Sequence, residues 1–286
     1  MSDATLPQRK SALDLAACGV AERGRGRCAR CELLQSAGGK HDSPGMRKDA
    51  AELKTTLRAN PAFAGWPAPA LEALAARCRS VWLEPGQELS GQNALGPCSY
   101  LVQSGWLTQR YASNAAVTDC TFVLLGRGMM LFDLLPKASS FENLETVVTR
   151  SVGLIEISSD ALRNAMEVHP GRWGDLMLCL LDQEQTIFSC VVGQLTGSVS
   201  QRVAQTVLQY ANLLGDRIEG TPGVDLNLSQ DELGSLLHLS RTTVGRELGA
   251  LESAGLIDRR YGHIRVSSIQ GLCRFANAAS DSISEA

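Results

Sequence analysis

The stretch SRTTVGRELGALESAGLI, residues 240–257, decides how this chain is read. Val244, Leu248 and Leu251 recur at helical spacing and mark an inner face. Thr242, Arg246 and Gly249 turn the other way, so the outer face is poor in bulk with one arginine in its middle. Ser240 is placed to cap the helix start. Upstream, Ser229 and Glu232 have the spacing of a capping box, and Leu233, Leu236 and Leu237 form the inner face of the helix that follows. The letters HLS, 238–240, make a short turn between the two helices. Downstream, LIDRRYGHIRVS, 256–267, reads as two strands around a Tyr261-Gly262 turn. Helix, tight turn, helix and hairpin in this order make a winged helix-turn-helix.

Such a unit lays its second helix in the major groove of double-stranded DNA, which explains the thin outer face. Gly245 permits close approach. Arg246 has the geometry to donate two hydrogen bonds to guanine O6 and N7, and Arg241 can do the same or hold a phosphate. Ser240, Arg241, Thr242, Thr243, Gly245, Arg246 and His263 are the candidate DNA-binding residues, with Arg265 beside His263 in the hairpin facing phosphate.

Further from this segment the chain changes character. WGDLMLCLLDQEQTIFSCVVGQL, 173–195, is long and strongly apolar, with Trp173, Met177, Leu180, Ile187 and Val191 on one seam and Glu184 as its polar member. A long apolar seam between two domains points to pairing with a copy of itself. SVSQRVAQTVLQYANLLG, 198–215, is a second amphipathic helix. Residues 80–158 alternate short apolar runs with glycine and proline, the signature of a small antiparallel roll or barrel. A helix is expected at PAPALEALAARC, 67–78, with Leu71, Leu74 and Cys78 on one face. Residues 1–50 are rich in Gly, Arg and Ser without a sustained period and read as a mobile arm.

Composition bounds the function. The 286 residues suffice for about two domains, 44% of them are hydrophobic, and the net charge of −3 confines any nucleic-acid surface to a local patch. No run of 18 apolar residues marks a membrane span, and the start has no apolar signal core, so a cytoplasmic address is expected. In that compartment nine cysteines are fillers, ligands or redox groups rather than a disulfide framework.

LSQDELGSLLHLSRTTVGRELGALESAGLIDRRYGHIRV, 228–266, resembles the DNA-binding domain of the CRP/FNR transcription regulators. EPGQELSGQNALGPCSYLVQSGWL, 84–107, resembles the β-roll of that family, and SVSQRVAQTVLQYA, 198–211, the segment after its dimerisation helix. The resemblance covers roughly residues 60–272. It implies an α+β fold: a jelly-roll-like sensor domain at 56–165, a dimerisation helix at 166–197 and a winged helix-turn-helix at 198–275, with an arm at 1–55 and a tail at 276–286. It implies a homodimeric regulator on a palindromic promoter that contacts RNA polymerase, with no enzymatic activity. Thr242 departs from the family, which usually has glutamate there, so the family half-site is not expected unchanged.

The resemblance also bears on the signal. Cyclic-nucleotide binders of this family hold the ribose with a Gly-Glu pair and the cyclic phosphate with an arginine and a neighbouring hydroxyl. Here Phe132-Asp133 stands where Gly-Glu belongs, and no arginine lies between Arg127 and Arg150, so a cyclic nucleotide is disfavoured. Cys18, Cys28 and Cys31 in the arm are similar to the N-terminal cysteines that hold a [4Fe-4S] cluster in FNR-type oxygen sensors, although position 37 is Ala37 and position 155 is Ile155 where further cysteines belong. Cys120, or Cys98 in its place, would have to be the fourth ligand. Besides a cluster, the arm cysteines admit a thiol-disulfide or other metal switch, or no function. Two other readings stay open: a thiol-disulfide protein working through Cys28 and Cys31, and a roll that binds an unidentified small ligand. A nucleotide-binding module that does not act on DNA is opposed by the 229–266 segment. Cys78, Cys179, Cys190 and Cys273 sit in apolar helical contexts and are expected to pack.

Overall fold

The computed structural model describes residues 49–277, apart from 88, 90, 91, 94, 95, 112–119, 133–143 and 222. Cys18, Cys28 and Cys31 lie outside the described residues, as does most of the stretch compared with the cyclic-phosphate site.

Helix α1, Ala50–Ala59, opens on Asp49, whose carboxylate accepts from the Glu52 backbone N–H at 2.8 Å. This helix was not anticipated, because only Leu53 and Leu57 of its ten residues point inward and the rest reads as polar arm. Helix α2, Ala68–Ala75, follows a Pro67 that suits its first turn. Leu71 and Leu74 are buried as expected, but the helix ends before Cys78, which instead begins a strand. Phe63 and Trp66 meet edge to face at 5.4 Å between the two helices.

The roll consists of two antiparallel sheets. One runs β1 (Cys78–Leu83), β8 (Val152–Ser158), β3 (Gly96–Ser104) and β2 (Gln92–Asn93), with β6 (Met130–Leu131) also on β3. The other runs β5 (Cys120–Leu125), β4 (Leu107–Tyr111) and β7 (Leu144–Val147). Strand β8 lies between β1 and β3 and is buried along its whole length, Glu156 and Ser158 included.

Helix α3, Ser159–Val168, leads into the 24-residue helix α4, Arg172–Leu195. Helix α4 is held on the roll by Gln183, whose amide both accepts from and donates to the Met130 backbone at 2.8 and 2.9 Å. Its buried side carries Leu176, Gln183 and Cys190, and Leu180 and Ile187 lean onto the same cores. The expected seam is therefore corrected. Leu180 and Ile187 turn inward, and the uncovered stripe is Trp173, Met177, Leu181, Phe188, Val192 and Leu195. Both sides of this helix are apolar, so a period alone does not say which side faces the roll. Helix α4 is also, by length and composition, the one described helix apolar enough to cross a membrane, a possibility that the search for an 18-residue apolar run missed.

Helix α5, Val199–Leu214, carries a capping box of Ser198 and Gln201 and packs along α4, where Gly193 leaves room for Gln205 and Gln209. Its Tyr210 hydroxyl accepts from the Leu124 N–H at 3.2 Å, joining it to β5. A four-stranded sheet follows, in the order β11 (Ile257–Arg260), β12 (His263–Val266), β10 (Val224–Leu226) and β9 (Asp216–Arg217). Around it lie α6 (Gln230–Leu237), α7 (Arg241–Ser253) and α8 (Ile269–Asn277). The observed fold is the α+β arrangement expected from the sequence: sheet-rich domain, long helix and winged helix-turn-helix.

Candidate nucleic-acid interface

The capping box of α6 is formed in both directions: Ser229 Oγ accepts from the Glu232 N–H, and Glu232 accepts from the Ser229 N–H. The helix stops at His238, whose φ of 54° puts it in the left-handed region. Gly234 makes the turn possible, because a Cβ there would lie 2.8 Å from the Leu239 carbonyl oxygen. Two residues on, Ser240 caps α7 by accepting from the Thr243 N–H at 3.1 Å. Val244, Leu248 and Leu251 are wholly buried. That fixes the rotation of α7 and turns Arg241, Thr242 and Arg246 to the outside. Ser240 is also exposed, Thr243 and Gly245 are half-buried, and Thr243 shares a side-chain hydrogen bond with Ser240 at 2.9 Å.

The arginines on this face are held by carboxylates. Arg241 reaches Asp231 at 3.1 Å, and Arg246 reaches its chain neighbour Glu247 at 2.8 Å. Arg259, on β11, was missed by the sequence reading. It pairs with Glu252 at 2.7 Å and donates to the Gly245 carbonyl at 3.1 Å, so its guanidinium lies across the bare backbone at Gly245 and Gly249. The DRR run, 258–260, was its only signal. In the hairpin, Tyr261 is fully exposed beside a Gly262 with φ of 75°. His263 is half-buried, with Nδ1 3.2 Å from the Tyr261 carbonyl. Arg265 is engaged within its own domain. It forms a two-point pair with Asp225 at 2.9 and 3.1 Å, holding that carboxyl below its usual range and tying β12 to β10.

Besides the Tyr210 hydroxyl on the Leu124 N–H, two side-chain contacts link the α6 end of this domain to the roll. Arg150, just before β8, donates to both carboxylate oxygens of Glu232 at 2.6 and 2.8 Å, and to the Asn227 side chain and carbonyl at 2.8 and 3.1 Å. Its guanidinium also stands 5.1 Å from the Trp106 ring centre. The second contact is between Cys120 Sγ, at the start of β5, and His238 Nε2, 3.2 Å apart. An open cleft of about 720 Å³ runs beside them, lined by Thr108, Arg110, Thr121, His238 and Arg241 among others. Of the two cysteines considered as fourth ligand, Cys98 is buried in the roll core and Cys120 is part-exposed. Burial pushes the Cys78 and Cys190 thiols up to about 12, in keeping with packing roles.

Residues 201–275 match the family described as the Crp-like helix-turn-helix domain. Over 219 residues the chain is 25% identical to the CRP-like cAMP-activated global transcriptional regulator of Mycobacterium tuberculosis, covering 75% of this chain and 95% of that protein. Among solved structures, it is similar to a cyclic nucleotide-binding domain containing protein from Listeria monocytogenes, with a TM-score of 0.57 and 13% identity over 77% of this chain and 98% of that one. A CRP/FNR-family transcriptional regulator from Thermus thermophilus matches with a TM-score of 0.50 and 20% identity over 69% of this chain and 98% of that one. These structural likenesses establish the fold.

Proposed function

We propose that this CRP-family transcription regulator, with its Crp-like helix-turn-helix domain, reads a palindromic promoter site as a homodimer and changes its contact with RNA polymerase in response to oxygen or redox state. The observation that carries the DNA reading is the outer face of α7: Arg241, Thr242 and Arg246 stand free of the core on a helix whose other side is fully packed. Arg246 is the base-reading residue, and Arg259 and His263 contact phosphate. The apolar stripe of α4 is the dimer seam rather than a membrane span, and the regulator works in the cytoplasm. Selection of bound sequences from random duplexes tests this. The expected result is a palindrome with half-sites about one DNA turn apart; enrichment of no sequence, or of single half-sites only, overturns it.

The effector reading rests on what the roll lacks and what the chain carries. The mycobacterial relatives are cAMP-activated. Here Phe132-Asp133 stands in place of the ribose-holding pair, and the stretch between Arg127 and Arg150 offers a cyclic phosphate no arginine for a two-point contact. Cysteine chemistry is the alternative. The described residues do not by themselves fit a [4Fe-4S] cluster: they hold no group of three or more His, Cys, Asp or Glu placed for a metal, and the Cys120 thiol faces His238. A cluster would need Cys18, Cys28 and Cys31 for its other ligands. A visible spectrum of anaerobically purified protein separates the two forms of redox sensing, since a cluster is coloured and a thiol switch is not. Equal operator binding in air, under nitrogen, with peroxide and with reductant overturns both.

A further inference from the structure

The contact between Cys120 and His238 joins the sensor domain to the turn of the helix-turn-helix. Cys120 is the first residue of β5, in register with Tyr111 on β4. His238 ends α6 in the left-handed conformation, and Ser240, the cap of α7, comes two residues later. The thiol is part-exposed and the open cleft gives small molecules a way to its neighbour Thr121 and to His238 itself. An imidazole at 3.2 Å is placed to take the thiol proton during reaction, which is how a cysteine becomes a nucleophile. Cys98 and Cys190 are both buried, so neither is open to solvent oxidants.

We propose that Cys120 is a modification site for hydroperoxides, activated by His238, whose oxidation shifts the turn leading into the DNA-reading helix. The proposal deepens the redox reading above and rests on it. In the reaction the Cys120 sulfur attacks the terminal oxygen of a hydroperoxide as His238 Nε2 takes the thiol proton. The S–O bond forms and the O–O bond breaks. The sulfur is oxidised by two electrons to a sulfenic acid, and the departing alkoxide or hydroxide receives the proton and leaves as alcohol or water. A sulfenic oxygen turned toward Nε2 would not fit between atoms already at hydrogen-bond distance, and would push β5 and the 238–240 turn apart. The spacing of the two recognition helices in the dimer then changes.

The test uses the reduced full-length chain, hydrogen peroxide and a sulfenate-trapping reagent, with peptide mass spectrometry to locate the label. Cys120 is expected to label at least tenfold faster than Cys190. His238→Asn, which suits the left-handed turn yet supplies no base, is expected to slow Cys120 labelling at least tenfold. On the same samples, affinity for the selected palindromic duplex is expected to change at least fivefold upon oxidation, and not to change in Cys120→Ser. Equal labelling of Cys120 in the native protein and His238→Asn, or labelling no faster than at Cys190, overturns the site. Labelling as expected with unmoved duplex affinity overturns its coupling to DNA. If Cys120→Ser still answers peroxide in its DNA binding, the redox reading stands and this site falls.

Discussion

Arg246 carries its charge on a side chain 72% exposed, and its ion-pair partner is the residue next to it in sequence. An exposed pair of that kind contributes about 0–1 kcal/mol, whereas a two-point contact to guanine discriminates by about 1–3 kcal/mol. Exchanging Glu247 for a base edge is therefore favourable. Arg246→Ala should weaken specific binding by about 1–3 kcal/mol per half-site and leave the dimer intact; an unchanged footprint on the selected palindrome removes Arg246 from the readout. Thr242 is a separate case. Its hydroxyl can give or accept a hydrogen bond, while glutamate would accept from the amino group of cytosine. Glutamate would also sit four residues before Arg246 and help to orient it. Thr242→Glu should move the selected half-site toward cytosine at the facing position, and recovery of one identical motif by both proteins counts against that role. Position 242 was legible in the sequence because α7 is rotated by three buried aliphatic residues. Arg259 was not, because its place over Gly245 depends on how β11 folds back along the helix.

The elements divide by how local their causes are. Helices α6 and α7 could be read with their ends, since Ser229, Glu232 and Ser240 act within three residues of themselves. The hairpin was legible for the same reason, through Gly262. Helix α1 was hidden: its two inward leucines matter only because Phe63, Trp66 and Leu71 lie beneath them in the same core. Helix α4 falls between these cases. Its existence and length were plain, but apolar residues surround it, and what decides its rotation is Gln183 reaching the backbone of Met130. Phe188 therefore stands on the open stripe, 69% exposed, while its neighbour Ile187 packs against the core. This separates two variants one position apart. Phe188→Asp puts a carboxylate in the proposed dimer seam of an otherwise intact protomer, and should give folded monomers with weak operator binding. Ile187→Asp puts the charge against the core, and should lower the melting temperature of the protomer itself. Sedimentation and thermal melts distinguish them; a dimer undisturbed by Phe188→Asp means that the copies meet elsewhere.

In the whole molecule, a signal of the proposed kind has to reach α7 through whatever joins the roll to the winged domain. Arg150 is the strongest such join. Its guanidinium is flat, meets both oxygens of Glu232, and stands over Trp106 of the roll. Glu232 at the same time closes the capping box of α6. One carboxylate thus holds the helix start and the domain contact together, so a shift of the loop before β8 bears directly on α6. The cap was legible in the sequence but the pairing was not, since Arg150 and Glu232 are 82 residues apart. Arg150→Ala should destabilise the chain by about 1–3 kcal/mol, since it leaves a part-buried carboxylate without its cation. Glu232→Gln should cost a similar amount through both the pair and the cap. If the two side chains work as one unit, the double variant should lose less than the two single losses added, by about 1 kcal/mol or more, in chemical denaturation. Strict additivity would mean that the roll and the winged domain are joined elsewhere. If that join is the Cys120–His238 contact, Arg150→Ala would leave the peroxide response of operator binding at full size.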